Sequence, residues 1–254
     1  MSKSPIVKYY DRYWAPGGDW SPTPTLSPLK RNLLARFVAP NTCVLDVGCG
    51  DGGHYGRLLA AMASEYHGLD VSEIAVEAAK RSGILAQQHD LQSPFPYTDD
   101  SFDLVLCIEV LEHVFEPARA LLEMGRVLRP GGHILLSVPN VAHISNRIRM
   151  LLGGFSPGGT PETSAKRPWA DPHIRFFTAR SLATFVAAQD LLLQEMHGEG
   201  FSLFSTLPVF SSIAARLVGW QRLEHLSHPF EFMARWWPSL CAGHLLAVVT
   251  CRCP

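Results

Sequence analysis

An α/β fold, a doubly wound parallel sheet with helices on both faces, follows from three observations. Strand-like and helix-like stretches alternate from about residue 42 to 190, the first strand runs into a glycine-rich turn, and an acid closes the second strand. At 254 residues the chain fits one domain with additions better than two equal domains.

In chain order, the Pro-rich Ser21-Pro22-Thr23-Pro24 predicts an extended linker or lid base, followed by a helix over about 29–38. Short apolar runs bounded by turn residues predict strands near 42–47, 65–70, 84–89, 102–108, 132–138, 191–197 and 244–252. Amphipathic stretches between them predict helices near 54–63, 72–81, 116–128, 141–152 and 178–189. Residues 153–172 are rich in glycine and proline and too long for an ordinary connection, which predicts an active-site loop. Residues 198–243 carry Phe201, Phe204, Phe210, Trp220, Phe230, Phe232, Trp236 and Trp237 and are read as helices capping the substrate side, or as satellite core. The expected organisation is a lid and linker over 1–40, a core over 41–197, the cap insertion over 198–243 and a last core strand over 244–254.

The most informative stretch is Val44-Leu45-Asp46-Val47-Gly48-Cys49-Gly50-Asp51-Gly52-Gly53, with Asp70 ending the second strand. Glycines let backbone pass close to a ligand, and an acid at the second strand's end accepts both hydroxyls of a ribose. Gly48, Gly50 and Gly53 satisfy the dinucleotide spacing G-x-G-x-x-G. Asp46, however, stands ahead of the first glycine, where a diphosphate gains nothing from negative charge and a cationic ligand does. Asp51 is a turn residue or helix cap as readily as a ligand contact.

Asp46-Val47-Gly48-Cys49-Gly50-Asp51-Gly52 resembles motif I of the class I S-adenosylmethionine (SAM)-dependent methyltransferases. The resemblance implies a seven-stranded sheet whose last strand returns antiparallel. It implies that Asp46, Gly48, Cys49 and Gly50 line the methionine end of SAM and that Asp70, with Val71 beside it, holds the ribose. Asp90 would accept from the adenine amino group, Leu91 would cover the ring, and Ile108 and Glu109 would lie beside the methionyl moiety. The segment Tyr9-Tyr10-Asp11-Arg12-Tyr13-Trp14 resembles Tyr-rich N-terminal segments that fold over the cofactor, with Tyr10 as a contact; an apolar helix face packed on the core is the alternative.

Glu109-Val110-Leu111-Glu112-His113 resembles the ubiquinone-pathway O-methyltransferases, in which these residue types are associated with a divalent metal. Positions 109, 112 and 113 converge if the chain turns helically after the strand, yet the same pattern occurs in metal-free relatives, and no metal is expected here. Pro139-Asn140-Val141-Ala142-His143 and His173-Ile174-Arg175-Phe176-Phe177-Thr178 resemble methyltransferases of polysaccharide and natural-product pathways, and in outline the MetW-like proteins. Histidine is the usual base near neutral pH, so His143 or His173, then His113, are the candidate catalytic bases. Arg175 is placed to orient an anionic substrate group or to pair with Asp171, and Thr178 to cap the next helix.

The expected reaction is O-methylation of a sugar, glycolipid or secondary metabolite with some apolar surface, with N-methylation or a MetW-like regulatory role as alternatives. A formal net charge of −1 with no Lys/Arg-rich run argues against a nucleic-acid partner. With no apolar signal core and no membrane-length apolar run, a cytoplasmic protein is expected; Trp220, Trp236 and Trp237 leave a peripheral membrane contact open. Cys43, Cys49 and Cys107 fall in or beside expected buried strands as reduced apolar fillers, and Cys251-Arg252-Cys253 lacks the second pair of a zinc site.

Overall fold

A computed structural model of the chain describes residues 4–17, 27–53, 55–154, 172–200 and 231–252. Seven strands, β1 Cys43–Val47, β2 Glu65–Asp70, β3 Leu85–Gln88, β4 Phe102–Ile108, β5 Leu128–Pro139, β6 Leu191–Glu199 and β7 His244–Cys251, form one sheet in the order β3-β2-β1-β4-β5-β7-β6. Neighbours from β3 to β5 are parallel, and β7 runs antiparallel to both β5 and β6. This is the sheet that the resemblance implies.

The helices are α1 Pro5–Trp14, α2 Pro28–Phe37, α3 Gly56–Ala60, α4 Glu73–Arg81, α5 Pro117–Val127, α6 Ile144–Leu151, α7 Ala179–Ala187, α8 Glu231–Trp236 and α9 Pro238–Cys241. Local sequence explains where several begin. Ser4 and Ser27 each accept a backbone N–H of the first turn and are followed by proline, whose fixed φ suits a first helical position. Ser72 caps α4, and Thr178 with Ser181 forms a reciprocal capping box at α7.

Strand alternation splits the core into two layers. Leu45, Val105, Ile134 and Val249 face a layer closed by Met124 of α5 and Leu182 of α7, whereas Val44, Leu104, Leu106 and Val248 face one closed by Leu34 of α2 and Leu59 of α3. Two expected boundaries move. The helix near 54–63 is regular only over Gly56–Ala60, and β5 begins at Leu128 instead of 132 because a register shift against β4 carries Pro130-Gly131-Gly132 inside the strand. Strand order reverses between β1 and β4, and there the carboxyl ends of the strands leave a crevice.

The loop residues 155–171 and cap residues 201–230, including Asp171 and Trp220, lie outside the described residues, as does the linker over 18–26. The described part of the expected cap, α8 and α9, packs on β6, with Ala234 and Cys241 buried and Trp236 and Trp237 exposed. No helix among the described residues is long and apolar enough to cross a membrane.

Candidate active site

A cavity of about 530 Å³ occupies the crevice. All eleven residues expected to contact the cofactor line it, from Tyr10 and the Asp46–Gly50 turn through Asp70, Val71, Asp90 and Leu91 to Ile108 and Glu109.

The turn after β1 is built by backbone. Gly48 and Cys49 both donate N–H to Leu69 O, at 2.7 and 3.1 Å, which draws the turn against the end of β2. Gly48 and Gly50 have φ of +80° and +54°, and a Cβ on them would meet Val110 Cγ2 at 2.4 Å and Trp14 Cη2 at 2.5 Å. Both the left-handed backbone and the close approach therefore call for glycine.

Asp70 is fixed at both oxygens, Oδ2 accepting from Gly50 N at 3.0 Å and Oδ1 from Ser72 N at 2.8 Å. Burial pushes its carboxyl up to about 6, against the lowering effect of these N–H donors. Asp46 is fully buried, accepting from Tyr66 Oη at 2.7 Å and Tyr55 Oη at 3.2 Å. Burial outweighs those two phenols and raises it to about 7. Two buried acids, a left-handed glycine turn and an aromatic wall suit a ligand with vicinal hydroxyls, a flat ring and positive charge, which are the features of SAM.

The aromatic wall is α1. Tyr9, Tyr10, Tyr13 and Trp14 all line the cavity and meet edge to face in sequence. The helix is pinned by Asp11, whose Oδ1 accepts from Ser72 Oγ at 2.8 Å, beside the Asp70 turn.

Glu109, which lines the cavity just past β4, adopts φ +57°, unusual for a non-glycine residue. Its carboxylate accepts from Ser137 Oγ and lies 3.7 Å from Lys30 Nζ and 3.4 Å from His244 Nε2. Burial raises Glu109, but His244, Lys30 and the Ser137 hydroxyl outweigh it and hold the carboxyl below its usual range. Lys30 also reaches Glu199 at 2.9 Å. Lys30, Glu199 and His244 all border the cavity and were not singled out in the sequence, because they come from α2, β6 and β7 with no local motif.

Glu109, Glu112 and His113 all line the cavity, but the compact cluster forms around Glu112 and His113 without Glu109. Leu111–His113 is a 3-10 turn, and Glu112 is joined instead by His173, with Oε1 3.8 Å from Nε2 of both His113 and His173. The two imidazoles stack at 4.6 Å, and both line the cavity. Burial, then the charge of Glu109, pushes the Glu112 carboxyl well above its usual range. His113 Nδ1 lies 3.2 Å from Pro172 O, a pure acceptor, so Nδ1 donates in that contact and Nε2 is turned toward Glu112. Glu112, His113 and His173 each offer one ligand atom within 4.8 Å of the others, the donor set of a divalent cation site as well as of a proton-accepting one.

His143 does not join them. Its buried ring caps α6, Nδ1 accepting from Ser145 N at 3.2 Å, and it does not line the cavity. The first-ranked pair of bases therefore reduces to His173, accompanied by His113. Arg175 is engaged with Phe115, donating to its carbonyl and lying 5.1 Å from its ring centroid.

A family described as "Methyltransferase domain" matches residues 24–195. A ubiquinone biosynthesis O-methyltransferase from Hahella chejuensis is 28% identical over 210 residues, 77% of this chain and 83% of that protein. One of the same name from Alkalilimnicola ehrlichii is 31% identical over 137 residues, 51% of this chain, and the match spans only 55% of that relative's length. Among solved structures, a SAM-dependent methyltransferase from Methanosarcina mazei superposes with a TM-score of 0.59 at 16% identity, covering 91% of this chain and all of that one, a likeness of fold.

Proposed function

The chain belongs to the SAM-dependent methyltransferases, and from that premise we propose that it methylates a hydroxyl oxygen on a small or medium acceptor with an apolar face, the His113–His173 pair taking the proton. The observation that carries this reading is the meeting, in one cavity, of the Asp70-anchored glycine turn with two stacked imidazoles.

SAM supplies an electrophilic methyl on a sulfonium, so the protein's work is alignment and proton removal. Asp70 and the Gly48–Gly50 turn would hold one end of SAM, and the aromatic face of α1 would shield it from water. As the new O–CH3 bond forms, the S–CH3 bond breaks and S-adenosylhomocysteine is left; the hydroxyl proton passes to an imidazole nitrogen. Nε2 of His113 and Nε2 of His173 each lie 3.8 Å from Glu112 Oε1, so a single buried carboxyl group positions the two rings that take the proton.

Tyr10, Tyr13 and Phe115 give the cavity broad apolar surface, which favours an acceptor with a ring or hydrocarbon face over a bare sugar. The curated relatives, named for ubiquinone biosynthesis, support the same choice and O as the methylated atom. The test is transfer from methyl-labelled SAM to phenolic, sugar and amine acceptors in parallel. Label on phenolic oxygen supports the reading; label on nitrogen alone, or none on any acceptor with SAM bound, refutes it.

A further inference from the structure

We propose that Cys43, Glu65 and His67 form a binding site for a divalent cation of the zinc class, at the end of the sheet opposite the cofactor cavity. Cys43 begins β1 and is the parallel partner of Glu65, which begins β2, so the two side chains leave the same face of the sheet. His67 lies two residues along β2 and returns to that face. One ligand atom from each, thiol sulfur, carboxylate oxygen and imidazole nitrogen, lies within 4.8 Å of the other two.

The arrangement is held before any ion arrives. His67 Nε2 sits 2.9 Å from Glu65 Oε2, and the imidazole is braced edge-on by Tyr97 and Phe102, with centroids at 5.6 and 5.4 Å. Cys43 N donates to Asp103 Oδ2 at 2.8 Å, and the same oxygen pairs with Arg129, which leaves the thiol as the residue's remaining ligand group. Cys43 and His67 are half-buried while Glu65 is exposed, so ions can enter and water can complete a fourth position.

The donor set selects the ion. Sulfur and imidazole nitrogen favour Zn2+ or Co2+, whereas Mg2+ and Ca2+ prefer all-oxygen shells. As the metal–sulfur bond forms, the thiol proton leaves to buffer, and as the ion takes the place of the His67–Glu65 hydrogen bond the imidazole's Nε2 proton is exchanged through solvent for one on Nδ1, which leaves the Nε2 lone pair for the ion. The closed site would tie the starts of two adjacent strands without touching the cavity.

The test is Co2+ titration of the chelator-stripped full chain. A thiolate-to-cobalt charge-transfer band saturating near one equivalent and displaced by Zn2+ is expected. Cys43→Ser should abolish the band, and His67→Ala should weaken binding at least tenfold. Glu112, His113 and His173 have no sulfur and cannot produce the band, so the two metal-capable clusters are distinguished. Zn2+ should also protect Cys43 of the unaltered chain from alkylation, read by peptide mass spectrometry, which needs no variant to fold. Absence of the band, its persistence in Cys43→Ser, or equal alkylation with and without Zn2+ would overturn the site.

Discussion

His113 and His173 stack with ring centroids 4.6 Å apart and 25° between their planes, although one follows β4 and the other precedes α7. The pairing is fixed by backbone. Ile174 N and Arg175 N both donate to Glu112 O, at 2.9 and 3.0 Å, so the segment that leads into α7 is laid on the 3-10 turn before either side chain is considered. This contact brings two imidazoles to the cavity that the glycine turn also lines.

Asp70 is expected to carry cofactor affinity. Hydrogen bonds to a charged group are worth about 1.5–3 kcal/mol, so Asp70→Ala should weaken S-adenosylhomocysteine binding roughly ten- to hundredfold. Calorimetric titration measures this, and an unchanged Kd would remove Asp70 from the binding site.

Stability of the ligand-free protein should depend on Asp46 and Asp70. Their carboxyls lie at about 7 and about 6 in the folded chain against an ordinary 3.8, so the folded state holds extra protons between those values. The resulting stabilisation is complete below about pH 4 and is lost as pH rises through 6 to 7. Tm should fall from pH 5 to pH 8, and Asp46→Asn should make the fall shallower. The same slope in wild type and variant would contradict the assignment.

Asp11 is expected to act as the latch of α1. Losing its bond to Ser72, worth about 1 kcal/mol, should let the helix lift, raise the Kd for SAM about fivefold and speed tryptic cleavage at Lys8 and Arg12. Affinity and cleavage rate equal to wild type would show that α1 is held by its aromatic contacts alone.

Chelation separates the two uses of the Glu112 cluster. A proton-accepting pair needs no ion, so turnover should survive exhaustive chelation. Loss of turnover that Mg2+ or Mn2+ restores would make Glu112, His113 and His173 metal ligands instead.

Much of this was legible in the sequence because it is local. The apolar runs gave six of the strands within a few residues, and the residues around Gly48 and Asp70 follow each other at the spacing of one strand-helix-strand unit. The antiparallel return of β7 came only from family resemblance, since strand direction leaves no mark on composition. His143 misled because a capping imidazole and a catalytic one follow the same kind of turn; only the bond from Ser145 N tells them apart. His173 was not expected beside Glu112 because it arrives from a segment far along the chain, a contact that no local spacing encodes. The phenols on Asp46 were hidden for a third reason: Tyr66 reaches it from the adjacent strand, a pairing between β1 and β2.

The most direct test is turnover of the His113→Ala/His173→Ala double variant with methyl-labelled SAM, beside its affinity for SAM. A positioned base contributes about 10²–10⁴-fold, so turnover should fall by that factor while the Kd changes less than about twofold. Near-full turnover in the double variant would contradict the account and leave catalysis to alignment alone.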